Sequence, residues 1–410
     1  MSTSADAARY SFLPGGAPGP TIVGGEGVHL VAADGRRILD AAAGAIVGNI
    51  GWGRHEVVAA AAEVMPNGYV VPLWPTPSRL ALHDELVDHW LPEGMHHVFF
   101  TSGGSESTDS SLRLARAYQV AKGRPERWKV IGRHPSYHGM TVGAMAAASH
   151  LGRQAGYEPL LLPFPKVPWD DPEQVVKVFE QEDPATIAAF IAEPMTGAAG
   201  ACLTASDEYW RTVTELCRRH DILLIADEVM TGYGRTGTKW GHQHWTFEPD
   251  VVVGGKGLGG GYVPLGAVAA RDEVAEALRG SGFMYFTFTG NDAACAAGTE
   301  VLRILRREAL VERVATLGPV LERLLRDALA EHPAVVEIRG RGLFFGVELR
   351  CSRDAVVAEA LARDMWVYPA GSGPVQDAVM VAPPFVVTEA ELADIATRLA
   401  ESVDAAWRAA

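Results

Sequence analysis

The spacing of apolar and polar positions changes along the chain, and each spacing predicts a different element. From about residue 55 to 290, short apolar runs alternate with stretches of helical period. The runs "HVFFTS", "WKVIGR", "TIAAFIAEP", "DILLIADEV" and "DVVVGG" are β-branched or aromatic in character, and each stops at a polar residue or glycine. Between them, "SESTDSSLRLARAYQVAKG" and "DEYWRTVTELCRRHD" read as amphipathic helices. Unbroken apolar strands separated by such helices predict a mostly parallel sheet covered on both faces. Ligands of these sheets sit beyond the carboxyl ends of the strands. The residues that follow the runs therefore become candidates: Ser102 to Ser105, His134 to His138, Glu193, Asp227, and Gly254 to Lys256.

The flanks read differently. The first twenty residues, rich in Ala, Gly, Pro and Ser, suggest a loosely held arm. "VHLVAADGRRILDAAAG" predicts two short strands around an Asp-Gly turn. After about residue 292 a long helical region leads to the shorter strands of "VVEIRGRGLFFGVEL", "MWVYP" and "VMVAPP". A closing helix should begin at Thr388, with Glu391 at the capping-box position. The expected division is an N-terminal arm with small-domain strands (1–54), a large domain (55–291) and a smaller α+β domain (292–410).

Composition narrows the classes of function. A chain of 410 residues with 48% apolar content is long enough for two packed domains. A formal net charge of -14 without clustered Lys or Arg argues against nucleic acid as a partner. Neither a secretory signal nor an apolar run of membrane length is visible, so a soluble, cytoplasmic protein is expected, away from membranes. Cys202, Cys217, Cys295 and Cys351 form no CxxC pair and read as reduced packing residues. His134 and His138 have HxxxH spacing but no acidic third ligand, so no metal site is expected.

The stretch "DVVVGGKGLGGGYVPLGAV" carries the chemistry. It fails as a Walker A loop, because Gly257 follows Lys256 where Ser or Thr is needed and Asp250 occupies the first glycine position. Gly255, Gly257 and Gly260 match GxGxxG, but Pro264 and β-branched residues follow where that fingerprint must open a helix. The remaining reading makes Lys256 a nucleophile: a partly desolvated amine forms Schiff bases, and flanking glycines let backbone and cofactor approach closely. A Schiff-base lysine points to pyridoxal phosphate, which also needs a carboxylate, phosphate donors and ring packing. Asp227 ends the buried run "ILLIAD", where a carboxylate is costly unless paired. "TSGGSES" opens a helix after a strand and so offers backbone N–H donors to an anion. Tyr137 and Val229 would pack on the two ring faces. Taken alone, a buried aspartate at a strand end is often only a turn cap, and the glycine segment is more often a helix cap than a cofactor site.

Six motifs then occur in order: "FFTSGGSESTDSSLRLAR", "YHGMT", "AAFIAEPMTGAAG", "LLIADEVMTGYGRTG", "WGHQHWTFEPDVVVGGKGLGGGYVPLGAV" and "TFTGNDAACAAG". Together they resemble the class III aminotransferases of pyridoxal phosphate fold type I, nearest the ω-transaminase-like members, over most of the chain. The resemblance implies an α/β large domain whose mostly parallel sheet is of the seven-stranded type, between helices. It also implies a smaller α+β domain built from the N-terminal segment and the C-terminal part. By that resemblance Lys256 would form the Schiff base with the cofactor and then shuttle a proton, and Asp227 would hold the pyridinium. Gly103, Gly104 and Ser105 would bind the phosphate. Tyr137 would stack on the ring with His138 adjacent, and Val229 and Met230 would line the site. Glu193 would support Asp227 or the ring's surroundings. Thr287, preceded by Phe286, would reach the phosphate of a neighbouring subunit, which implies a homodimer with shared active sites. Arg235 would be structural.

The departures concern substrate. Ala198 stands where a second glutamate is common in the family, Met230 replaces a common glutamine, and "VYPAGSGPVQDAVMVAPP" holds no arginine. Another arginine, such as Arg54 or Arg153, would then bind a carboxylate, or one substrate lacks an α-carboxylate. Ile46, Val47 and Trp74 occupy positions that line the substrate pocket in the family, and ordinary core packing explains them equally well. The implied function is transfer of an amino group from an amino acid or amine to a ketone, aldehyde or keto acid by ping-pong half reactions. An epimerase, aminomutase or decarboxylase on the same scaffold is the alternative.

Overall fold

The computed structural model describes residues 19–68, 74–280 and 286–409. The arm expected at the N-terminus lies, up to residue 18, outside them.

All five apolar runs read from the sequence become strands of one seven-stranded sheet. Its order is His97–Thr101, Gly266–Ala270, Val251–Gly254, Leu223–Asp227, Ile187–Ala192, Lys129–His134 and Lys166–Pro168. The last five run parallel to one another. Gly266–Ala270 is antiparallel to both of its neighbours. Two strands escaped the sequence reading: "GAVAA" lacks aromatic and multiple β-branched residues, and Lys166–Pro168 is only three residues long.

Burial on both faces explains the unbroken apolar runs. Every residue of Ile187–Ala192, Leu223–Asp227 and Val251–Gly254 is buried. Alternate side chains serve opposite layers. Phe190, Leu224 and Ala226 pack with Tyr209, Trp210 and Val213 of helix Asp207–His220. Ala189, Ile191 and Ile225 pack with Leu114, Ala115 and Tyr118 of helix Gly104–Ala121.

Two smaller sheets flank this layer. Strands Ile22–Glu26, His29–Ala32 and Arg37–Asp40 form an antiparallel meander, and Met365–Trp366 joins it in parallel against Leu39 and Asp40. Distant parts of the chain thus share one sheet. The second has the order Val335–Gly340, Phe345–Leu349, Val375–Val381 and Tyr368–Ser372. The long helical region divides into Asp292–Arg307 and Leu310–Leu329, broken at Ala309, whose φ of 49° is left-handed. The closing helix carries the expected capping box. Glu391 N donates to Thr388 Oγ1 (3.2 Å) and Thr388 N donates to Glu391 Oε2 (2.7 Å). Among the described residues no helix is long and apolar enough to cross a membrane. All four cysteines are free and buried.

Asp250, at the opposite end of the sheet from the strand tips, ties two strands together by accepting a bond from Leu224 N (2.8 Å). Burial pushes its carboxyl up from 3.8 to about 6, opposed by that bond and by Arg271. The folded state therefore binds the proton more tightly than the unfolded chain. This group's contribution to stability falls as pH rises from 3.8 to about 6, by roughly 3 kcal/mol. Asp250→Asn keeps the acceptor and removes the titration. Its stability should fall less than that of the parent chain between pH 4 and pH 7, as read by denaturant unfolding.

Candidate active site

Four parallel strands end side by side, and the candidate residues emerge at their tips. Lys129–His134 leads to Tyr137 and His138, Ile187–Ala192 to Glu193, Leu223–Asp227 closes on Asp227, and Val251–Gly254 leads to Lys256. The N-terminus of helix Gly104–Ala121 faces the same edge. Nine residues named from the sequence line one hollow of about 120 Å³: Gly104, Ser105, Tyr137, His138, Glu193, Asp227, Val229, Met230 and Lys256. Lys256 and Gly104 also border an adjoining hollow of about 410 Å³, with Gly103, Val47 and Tyr262. The lysine stands on the wall between the two.

The glycines around Lys256 act mainly in protein packing. A Cβ on Gly254 would lie 2.2 Å from Tyr233 Oη, and one on Gly255 would lie 3.3 Å from the Gly104 backbone. The helix start and the lysine-bearing strand end thus meet backbone to backbone. Lys256 itself adopts φ 42°, a left-handed conformation that a non-glycine residue holds only where its surroundings enforce it. Desolvation dominates its ionisation and pushes the ammonium below its ordinary value, with Asp227 and Glu193 opposing. The sign favours the neutral amine, the nucleophilic form.

Each buried carboxylate has fixed partners. Asp227 Oδ2 lies 2.6 Å from His138 Nδ1, and Oδ1 accepts from Val229 N (3.1 Å). Glu193 accepts from Tyr137 N through Oε1 (2.9 Å) and from Gly197 N through Oε2 (2.8 Å). Glu193 therefore latches the Tyr137 loop and does not bond Asp227. Burial raises its pKa first, with the His138 charge opposing and Asp227 reinforcing. Sequence spacing contained no sign of the Asp227–His138 pair, since 89 residues separate them.

At the helix start, Ser107 N donates to Gly103 O (3.0 Å), the first bond of the ladder. The amides of Gly104 and Ser105 lie ahead of that bond, where a helix leaves its donors free for an anion. A Cβ on Gly104 would meet Val229 Cγ1 at 2.8 Å.

Other sequence candidates lie elsewhere. Phe286 packs near Phe99 (6.4 Å between centroids) and under Arg113, and Thr287 is exposed; neither lines the Lys256 hollow of its own chain. Trp74 is 64% exposed. Ile46 is buried against Met195, Met230 and Phe344, which is core packing beside the site. Arg54 is occupied by Glu308 (2.9 and 2.7 Å), and Arg235 donates to Leu343 O and Pro383 O. Arg153 lies over the Tyr137 ring, 4.3 Å from its centroid. Gly139 and Tyr262 line the hollows without having been singled out. A glycine offers no side chain to read, and Tyr262 lies in a segment read only for its glycines. No group of three potential metal ligands occurs among the described residues.

A half-buried lysine at a strand tip, a helix N-terminus and a buried carboxylate define an α/β enzyme scaffold for an anionic, carbonyl-bearing cofactor. The chain belongs to the class III aminotransferases: residues 18–403 match the family Aminotransferase class-III. It is 35% identical to a putrescine–pyruvate aminotransferase of Pseudomonas aeruginosa, over 92% of this chain and 89% of that one. A thermostable (S)-enantioselective ω-transaminase from Thermomicrobium roseum superposes with a TM-score of 0.89 at 34% identity, over 99% and 98% of the two chains. The ω-transaminase of Pseudomonas jessenii, solved in complex with PMP, gives 0.91 at 28% identity over 100% and 99%. Enzymes of this family work with pyridoxal phosphate, and the residues present fit it: an amine, a carboxylate and free helix amides share one hollow too tight at Gly104 for a side chain.

Gly104→Ala tests that fit. The added methyl displaces Val229 or the helix start, at a cost of about 1–3 kcal/mol. Cofactor affinity should weaken about tenfold or more, read by spectral titration, and Val229→Ala in the same chain should restore part of it.

Proposed function

We propose that the protein moves an amino group from an amine or amino acid to a ketone, aldehyde or keto acid in two half reactions at Lys256. The observation that supports it most directly is the lysine itself: half-buried, shifted by desolvation toward its neutral form, and set opposite two carboxylates that already have hydrogen-bond partners. Bound pyridoxal phosphate supplies the electron sink that makes a substrate Cα–H acidic.

The chain's own residues supply the rest. Lys256 Nζ first acts as nucleophile and then carries a proton at the substrate carbon. Asp227 supplies negative charge to the cofactor's ring nitrogen, oriented by His138 Nδ1 and Val229 N. Gly103, Gly104 and Ser105 present amides to the phosphate. Tyr137 and Val229 pack against the ring, with Met230 beside them. Glu193 holds the Tyr137 loop through two backbone amides. Val47 forms part of the substrate wall.

We read the working unit as a homodimer in which Phe286 and Thr287 complete the partner's site, since neither lines the hollow of its own chain. The division into 1–54, 55–291 and 292–410 is proposed with it, as is a cytoplasmic location, consistent with four free cysteines.

The decisive experiment adds an amine donor to the holoenzyme without acceptor. The visible absorbance of the lysine-bound cofactor should bleach stoichiometrically to the amine form, and a keto acid should restore it. Cofactor that never converts, whatever the donor, overturns amino transfer in favour of isomerisation or decarboxylation. Lys256→Ala should retain part of the cofactor affinity and lose turnover by about 10³-fold or more. Sedimentation should show a dimer at micromolar concentration; a fully active monomer rules out shared sites.

A further inference from the structure

Segment 43–48 runs beside both hollows and is held in an unfavourable shape. Ala43 and Ile46 have φ of 46° and 61°, and Gly44 between them has 67°. A β-branched residue such as Ile46 adopts that left-handed region only where its surroundings enforce it. Ile46 packs in one cluster with Met230, which lines the Lys256 hollow, and Val47 borders the adjoining one. The strain therefore sits in the wall of the space beside Lys256.

The groups that enforce this shape stand behind the wall. Asp40, wholly buried at the end of strand Arg37–Asp40, accepts from Ala42 N (3.1 Å) and, through both oxygens, from Gly44 N (3.0 and 2.7 Å). It also accepts from Trp52 Nε1 (2.9 Å). Trp366 Nε1 donates to Gly44 O (2.7 Å), so the strained glycine is anchored at its amide and at its carbonyl. Past the segment, Asn49 Nδ2 donates to Gly257 O (3.1 Å), one residue beyond Lys256. Val47 is carried between two fixed points.

The Trp52 ring fills the space behind that wall. A Cβ on Gly44, Gly48 or Gly261 would lie 3.4, 2.8 or 3.0 Å from the six-membered ring of its indole. Gly261, like Val47, lines the adjoining hollow. One indole thus backs two stretches of chain 200 residues apart, and its single side-chain donor is committed to Asp40. Neither Asp40 nor Trp52 is among the residues lining either hollow. Any influence of the pair on substrate must therefore pass through the segment it holds.

We propose that Asp40 and Trp52 act together as positioning residues that brace segment 43–48 beside Lys256, and so limit the size of the amine donor that the adjoining hollow admits. This rests on the amino-transfer reading and assigns the origin of its donor size limit. A wall that cannot yield excludes a bulky group, and the hydrogen bond between the two side chains is what keeps this wall from yielding.

Ethylamine and benzylamine, a small and a bulky donor, test the pair in Trp52→Phe, which keeps a ring behind the wall and removes the bond to Asp40. The strained segment then relaxes, and kcat/KM for benzylamine relative to ethylamine should rise about fivefold or more, mainly through KM. Asp40→Asn, with one accepting oxygen in place of two, should shift the ratio the same way, and the double variant should add little to either single one. An unchanged ratio, or equal losses on both donors, marks a purely structural pair and overturns the proposal. Benzyl alcohol, an unreactive isostere of benzylamine, supplies a readout without turnover. Its calorimetric affinity for the holoenzyme should rise about fivefold in Trp52→Phe, and unchanged affinity overturns the assignment. If no amine converts the cofactor, the amino-transfer reading fails, and the benzyl alcohol measurement still decides whether the pair sets the width of the hollow.

Discussion

Burying charge in a confined hollow is the constraint around which the candidate site is organised. One amine and two carboxylates share a space of about 120 Å³ at the edge of a sheet whose central strands exclude water. Each charge is met locally. Asp227 receives an imidazole and an amide, Glu193 receives two amides from different loops, and Lys256 is pushed toward neutrality. The loops following the strands take their shape from these bonds, since amides of residues 137, 197 and 229 converge on the carboxylates. Positioning of the site and compensation of its buried charge are one problem with one solution.

Much of this was legible in the sequence because it depends on local chain chemistry. Continuous apolar runs of strand length gave five of the seven strands, and the rule that ligands gather at strand tips selected Glu193, Asp227 and Lys256 before any geometry was known. The capping box at Thr388 and Glu391 was readable for the same reason, as both halves lie within one turn. Long-range pairings were not readable. His138 reaches Asp227 across 89 residues, and Met365–Trp366 completes a sheet begun more than 300 residues earlier. Strand Gly266–Ala270 was missed because its small side chains carry no periodic signal; its burial comes from its neighbours.

The glycine-rich segment reads one way as sequence and another as structure. The sequence suggests open space around Lys256, whereas the structure fills that space with protein: the Tyr233 hydroxyl against Gly254 and the Gly104 backbone against Gly255. The same distinction applies to the arginines. Arg54 and Arg153 were equivalent as letters and differ in place, one paired with Glu308 and the other over the Tyr137 ring.

The contact between Gly104 and Gly255 has a mechanical consequence. Two backbones touching leave no side chain to yield, so the spacing between the lysine and the amides at the helix start is set like a fixed ruler. Part of the adjoining hollow's wall, such as Tyr262 and Val263, lies outside that seam. Substrate range can therefore drift in that wall while the ruler stays constant. Tolerance to substitution should be steeply uneven across a few ångströms, rigid along the seam and permissive one loop away.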